Sequence, residues 1–332
     1  RKSFVRSLGT NKFLTEPSNA CRTQLFDLRQ GNWSNELCQL FDVPFSSLPQ
    51  VVSSNSIFGY TTLGGLFPNS VPICGVLGDS QAALAAQCCF NPGDVKATYG
   101  TGSSVMLQTG QQVVNSKSGL VSSIAWDFDG KKNYVLEGNI NYTGAVISWL
   151  KDQVGLIESS DEVEHLILQA NFADRSYFVP AFTGLGAPWW DSDATGLLTG
   201  VTRMTGRAEI VKACAECIPY QVCDIVASLR SDTGLSVKEL KVDGGPTRNH
   251  YLMQMQADVA RAIVVMSDLV ELSAAGVAFV AGRTVGVWKT NIIYDNIKHN
   301  RFRPVMSDSV RICKITGWHA AVKQAMLYKS EI

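Results

Sequence analysis

The sequence predicts an α/β fold, and three observations predict it. From about residue 75 onward, short β-rich runs alternate with helical patterns of apolar and small residues. Glycine-rich turns stand where several predicted strands end. The 332 residues are 45% hydrophobic and 17% charged, enough for a sizeable core and, at roughly 100–200 residues each, about two domains.

Taken in order, residues 1 to about 78 show a broken pattern, with one helix expected at 35–41 and a turn-rich stretch at 53–72, and read as the tail of a domain. A short helix is expected at 79–89, then strands at 95–101 and 104–108 around a glycine-rich turn. Further strands are expected at 120–126, 134–137 and 177–181, with a helix at 143–154. A strand at 197–201 leads to a long helix over 207–231. The strand 240–242 runs into Asp243-Gly244-Gly245 and is followed by a helix at 249–260. A strand at 263–266, a small-residue helix at 271–286 and a terminal helix at 317–328 complete the series. No internal repeat or low-complexity linker is present.

Composition excludes several classes. Lys plus Arg and Asp plus Glu both number 29, so no basic field collects nucleic acid or an anionic membrane. The longest uncharged apolar runs, 71–78 and 273–282, fall short of the ~18 residues that a membrane span needs. A soluble, cytoplasmic protein is expected. Nine cysteines make an odd count with no disulfide or zinc framework, so reduced thiols are expected, and Cys214 and Cys217, three apart on a predicted helix, read as packing residues. His165, His250, His299 and His319 have no ligand-like spacing and read as surface or packing residues. Two sequon matches, at Asn32 and Asn141, read as chance. The chain opens at Arg1 without Met or a signal-peptide pattern, and is expected to start within a longer protein.

Three turns carry the residues that suit chemistry: Gly78-Asp79-Ser80, Tyr99-Gly100-Thr101-Gly102-Ser103-Ser104, and Asp243-Gly244-Gly245-Pro246-Thr247-Arg248-Asn249. In α/β proteins ligands sit beyond the carboxyl ends of strands, so the three can converge on one crevice. Glycine lets backbone approach a phosphate, and helix N-termini favour anions. Neither GxGxxG nor GxxxxGK[ST] occurs, which removes the Rossmann and P-loop routes. Read without a family, each turn is an ordinary turn more often than a site. Trp189 and Trp190 suit a cleft wall or a packed pair equally.

These turns, with the run QAALAAQCCF at 81–90, Leu136-Glu137-Gly138 and FVPAFTGLGAPWW at 178–190, resemble the FGGY carbohydrate kinases, most closely the members acting on glycerol. The resemblance runs from about Leu14 to Ala325. It implies an actin-like, ribonuclease H-like fold with the N-terminal domain incomplete. Residues 1–78 would be the remainder of the first domain and 79–332 the second, nucleotide-binding domain. It further implies ATP-dependent phosphorylation of a primary hydroxyl of glycerol or a related small polyol. Alternatives are a kinase for a larger polyol or ketose such as erythritol or xylulose, and a non-catalytic nucleotide-binding remnant.

By resemblance, Asp79 matches the catalytic base, and Asp79, Ser80 and Ser104 fall at substrate positions. Thr101, Gly102, Gly144, Ser148, Gly245 and Asn249 fall at nucleotide positions. ATP and Mg2+ are the implied cofactors, with no metal ligand supplied by this chain. A dimer or tetramer of the full-length protein is implied, and no nucleic-acid or membrane partner. The family's N-terminal Asp-x-Gly-Thr loop and the Trp/Arg substrate segment after it are absent from the 332 residues, so the chain alone is expected to be inactive. Ser80 replaces a Gln and Ser104 a Phe of the glycerol-acting members, Ser148 replaces a nucleotide-site Gln, and Ser70 stands at the Arg used for inhibition by fructose 1,6-bisphosphate.

Overall fold

The computed structural model describes residues 12–288 and 297–327. Its centre is a seven-stranded sheet of β1 (Val95–Tyr99), β2 (Ser103–Gly110), β3 (Val121–Phe128), β4 (Lys131–Ile140), β5 (Glu239–Gly244), β6 (Ile263–Ser267) and β7 (His299–Phe302). The spatial order is β7-β6-β5-β1-β2-β4-β3. β1, β5 and β6 are mutually parallel, and the other pairings are antiparallel. Around it lie helices α1 (Asp79–Ala86), α2 (Gly144–Asp152), α3 (Glu162–Gln169), α4 (Arg207–Thr233), α5 (His250–Ala260), α6 (Leu272–Thr284) and α7 (Asp308–Leu327).

Register decides what each face carries. Lys241, Lys96, Met106 and Glu137 pair in one row across β5, β1, β2 and β4, and Asp243, Thr98, Ser104 and Asn139 in the row two residues further along. Side chains two apart on a strand share a face, so both rows face the same way. Met106 and Val135 there pack with Leu84 of α1 and Phe279 of α6 in a small core. The opposite face sends Val95, Ala97, Tyr99, Val105, Leu107, Leu240 and Val242 into a larger core with residues of α2, α3, α4, α5 and α7. The sheet is therefore largely apolar on one face, and polar on the other where its strands end beside α1.

Local chemistry fixes the helix limits. Glu209, in the first turn of α4, receives the backbone N–H of Gly206 on Oε2 at 2.9 Å, and Gly234, at φ +69°, ends the helix in the left-handed conformation. α1 and α6 meet backbone to backbone: a Cβ on Gly276 would lie 1.8 Å from the Ala82 carbonyl oxygen.

The expected elements are present with shifted ends, and several features depart from expectation. The terminal helix begins at Asp308, well before 317, and Tyr328 lies outside the described residues. Gly317 reads as a boundary in the sequence but sits inside α7, where a Cβ would strike the Tyr177 ring. α3 and β7 carry no expectation in the sequence reading. The turn-rich stretch contains half of a hairpin, Ile57–Thr61 against Val71–Cys74. The remaining N-terminal pairings, Leu14–Thr15 with Gln50–Val51 and Phe26–Asp27 with Asn32–Trp33, are only two residues long, too short for a periodic signal.

Candidate active site

Two cavities flank the carboxyl ends of β1 and β5. The first, about 360 Å3, is lined by Gly144, Ser148, Glu164, Gly245, Arg248 and Asn249 among others. It brings together four of the six residues predicted for the nucleotide. A Cβ on Gly245 would meet nothing within 4 Å, so no contact in the fold demands glycine there. Its neighbour Gly244 differs, with φ +102° and a would-be Cβ 1.9 Å from the Tyr99 carbonyl oxygen. Gly144 is also required sterically, since a Cβ would lie 2.5 Å from the Gly100 carbonyl oxygen. Asn249 Oδ1 accepts the Leu252 N–H at 3.0 Å and caps α5, which turns its amide nitrogen into the end left to donate to a ligand. Glu164 accepts the N–H of His250 at 3.3 Å and of Tyr251 at 3.1 Å, so the start of α5 already holds a carboxylate. Ser148 is exposed, its hydroxyl only 3.4 Å from the Gly144 carbonyl.

Thr101 and Gly102 do not line either cavity. They form the turn between β1 and β2, tied to the start of α2 by Gly144 N–H to Gly100 O and by Thr143 and Ala145 N–H to Thr101 O, each at 3.0 Å. This turn stands beside the first cavity and passes the end of the sheet.

The second cavity, about 230 Å3, is lined by Asp79, Ser80, Lys96, Thr98, Asp243, Glu271 and Ser273 among others. Asp79 heads α1 and is exposed; its Oδ1 accepts the Ser80 N–H at 2.9 Å, and its carbonyl accepts the Ser273 hydroxyl at 2.8 Å. The preceding Gly78 N–H donates to Ser18 Oγ at 2.9 Å, and Ser18 donates to the buried Glu16 at 2.6 Å. Burial pushes the Glu16 carboxyl above its ordinary pKa, against hydrogen bonds from Ser18, Ser54 and Asn19. Burial likewise raises Asp243, opposed by Lys96, Thr98 and Gln87.

Ser104 is separate from this lining. Its hydroxyl donates to Glu137 Oε1 at 2.7 Å, while Glu137 Oε2 pairs with Arg22. Sequence reasoning singled out neither Glu16, Ser18, Lys96 nor Arg22; a buried charge on a strand, as at Lys96, was the available signal, and register is needed to aim it.

The remaining candidates resolve differently. Asp224 accepts the indole N–H of Trp189 at 3.2 Å and of Trp318 at 2.8 Å, and lies 2.8 Å from His319 Nε2. Trp189 is thus a packed residue on a buried carboxylate, and His319 is its polar partner. Trp190 is 61% exposed and donates to the Ser118 carbonyl. Cys214 and Cys217 are buried in the core, and burial pushes the Cys214 thiol up to about 12, which suits packing and not redox chemistry.

The sequence profile of the FGGY family of carbohydrate kinases, C-terminal domain, matches residues 95–285, and that of the N-terminal domain matches residues 2–86. The chain belongs to the FGGY family of carbohydrate kinases. Within that family it is 41% identical over 323 residues to a glycerol kinase of Caldanaerobacter subterraneus subsp. tengcongensis, covering 96% of this chain and 64% of that protein. A Clostridium botulinum glycerol kinase is 43% identical over 315 residues, covering 94% of this chain and 63% of its own length. The chain therefore spans less than two thirds of these relatives. The crystal structure of Plasmodium falciparum glycerol kinase with ADP matches at TM-score 0.93 and 33% identity, covering 98% of this chain and 66% of that one. A Lactobacillus acidophilus xylulose kinase, at TM-score 0.85 and 18% identity, shares the fold.

Proposed function

We propose that this chain carries the nucleotide site and the proton acceptor of a kinase that moves the γ-phosphoryl group of ATP to a primary hydroxyl of glycerol or a related small polyol. The observation that carries the reading is the pair of cavities at the ends of β1 and β5. One has an open backbone at Gly245 and the other an exposed carboxylate at Asp79. Two glycerol kinases at 41% and 43% identity support the substrate class.

Phosphoryl transfer asks the protein chiefly for positioning and charge compensation. Asp79 orients the polyol hydroxyl and takes its proton as the oxygen bonds to the γ-phosphorus and the bond to the ADP oxygen breaks. Gly245 and Gly144 admit the nucleotide, Asn249 donates to it, and the Thr101-Gly102 turn meets its phosphates. Among the described residues no three His, Cys, Asp or Glu side chains converge as a metal site, so these residues do not build a cage for Mg2+. A magnesium ion would enter on the nucleotide phosphates. Division into 1–78 and 79–332, a cytoplasmic setting and a dimeric or tetrameric native protein belong to the same reading.

The test is a coupled ADP-release assay on the native-length protein with glycerol and ATP, where no turnover with any polyol sinks the reading. A second reading, a four- or five-carbon polyol or ketose, is favoured by Ser80 and Ser104. The Ser104 hydroxyl already donates to Glu137, which leaves it as an acceptor for a substrate hydroxyl. The double variant Ser80→Gln with Ser104→Phe is expected to move kcat/KM toward glycerol by roughly tenfold, the scale of a 1–3 kcal/mol apolar contact. Strong glycerol selectivity in the unmodified protein, measured against erythritol, ribitol and xylulose, removes this second reading.

A further inference from the structure

Lys96 is fully buried on β1, yet its side chain lines the cavity that holds Asp79. An ammonium removed from water costs several kcal/mol unless polar partners replace the solvent. Its Nζ donates to Thr98 Oγ1 at 2.7 Å. Thr98, two residues on and on the same face, is the register partner of Asp243 and helps to hold that carboxyl's pKa down. Asp243 Oδ2 also accepts Gln87 Nε2 at 2.6 Å. Gln87 is the C-cap of α1, the helix that begins with Asp79, and Asp243 immediately precedes the Gly244-Gly245 turn. The chain Lys96–Thr98–Asp243–Gln87 therefore joins the turn of the nucleotide cavity to the helix of the cavity on the other face. A second lysine reinforces the join: Lys241, the register partner of Lys96, donates to the Gln87 carbonyl at 2.7 Å.

We propose that Lys96 is a positioning residue for both cavities, its buried ammonium keeping Asp243 ionised through Thr98 so that Asp243 pins the Gly244-Gly245 turn and the helix bearing Asp79 at once. The inference rests on the kinase reading for its effect on turnover, and on the nucleotide assignment of the first cavity for its effect on ADP binding. Burial raises the Asp243 carboxyl above its ordinary pKa, and Lys96 is the foremost opposing influence. The charged groups on the face or in the cavity of this carboxylate are Lys96 from β1, Lys241 from its own strand, Asp79 from α1 and Glu271 at the start of α6, while the Tyr99 phenol lies across the sheet on Gln256. Lys96 is the cation on the neighbouring strand, with its Nζ bonded to the register partner of Asp243. Without that cation, Asp243 takes up a proton at higher pH, Gln87 loses a charged acceptor, and both ties slacken.

The experiment compares Lys96→Met, Lys96→Arg, Asp243→Asn and the double variant Lys96→Met with Asp243→Asn in the native-length protein. ADP affinity is measured by calorimetry from pH 5.5 to 9, and kcat across the same range. Lys96→Met is expected to weaken ADP about tenfold on the acid limb, to move that limb of both profiles upward by about one pH unit, and to recover toward wild type at high pH. Lys96→Arg should restore most of the loss, and the double variant should be no worse than Asp243→Asn alone, as for two members of one network. A folded Lys96→Met protein with unchanged ADP affinity and pH profile, or fully additive losses in the double variant, overturns the proposal. Should both Lys96→Met and Asp243→Asn fail to fold, Thr98→Val cuts the middle of the chain at constant shape, and an unshifted acid limb there overturns it equally. Wild type that binds ADP but phosphorylates no polyol sinks the kinase reading and leaves the binding result to decide the inference. Wild type that binds no ADP overturns both.

Discussion

The cavity beside Gly245 and the cavity beside Asp79 lie at the ends of the same two strands, yet they are built in opposite ways. The first is made by leaving atoms out: Gly245 faces open space, and Asn249 offers only an amide donor because its oxygen caps a helix. The second is built on charge, with a buried Lys96 and a half-buried Asp243 behind an exposed Asp79. On the reading proposed above, the first cavity must leave room for a ligand, whereas the second needs groups whose charge is set by their surroundings.

Substitutions that touch one cavity and spare the other sharpen the contrast. The largest effect is expected for Asp79→Asn, which should lower kcat by ~10²-fold or more while ADP affinity stays within a few-fold, the range for a positioned general base. Retention of most of kcat in steady-state assays would take Asp79 out of its role. Next, Gly244→Ala should destabilise by about 2–3 kcal/mol or more in denaturant titrations, because the left-handed backbone and the Tyr99 carbonyl both exclude a Cβ. Gly245→Ala should instead leave the unfolding midpoint near wild type and weaken ADP about tenfold, since the added Cβ faces the cavity and meets no protein atom within 4 Å. Equal losses of stability at both glycines would erase the difference between fold-demanded and ligand-demanded positions.

The smallest effect lies away from both cavities. Glu209 accepts the N–H groups of Asn171 and Gly206, each at 2.9 Å, and these bonds hold its carboxyl below the ordinary pKa. A carboxyl lowered in the folded state stabilises above its unfolded pKa and loses that contribution as pH falls through the folded value. Glu209→Ala should therefore cost about 1 kcal/mol at pH 7 and progressively less on acidification, with no change in ADP affinity. A gap in thermal midpoint that widens toward low pH would contradict this sign. Asp243, raised by burial, has the reverse slope: its contribution to stability falls as pH rises from the unfolded value toward the folded one.

The sheet strands and the long helix were legible because their signals are local. Val95 to Tyr99 and the Asp243-Gly244-Gly245 turn announce strand and turn within a few residues, and their motifs carried the family. The roles of neighbouring glycines were not legible, since Gly244 and Gly245 are the same letter and only the distance to the Tyr99 carbonyl separates them. Ser104 illustrates the same limit: its place in a motif could be read, but not that its hydroxyl turns to Glu137. The Asp224 node joins Trp189, Trp318 and His319 over as many as 95 positions of chain, which no periodicity records.

The glycine contact between α1 and α6 has a mechanical consequence. Gly276 rests on the Ala82 carbonyl, Gly75 would put a Cβ 2.8 Å from the Ala281 amide nitrogen, and Ser273 Oγ holds the Asp79 carbonyl. The segment 75–82 thus touches α6 on both sides of Asp79 with no side-chain cushion to absorb a displacement. Tilting α6 by a small angle must carry the carboxylate with it, so this helix acts as a lever on Asp79, and the stiffness of the lever is set by two missing methyl groups.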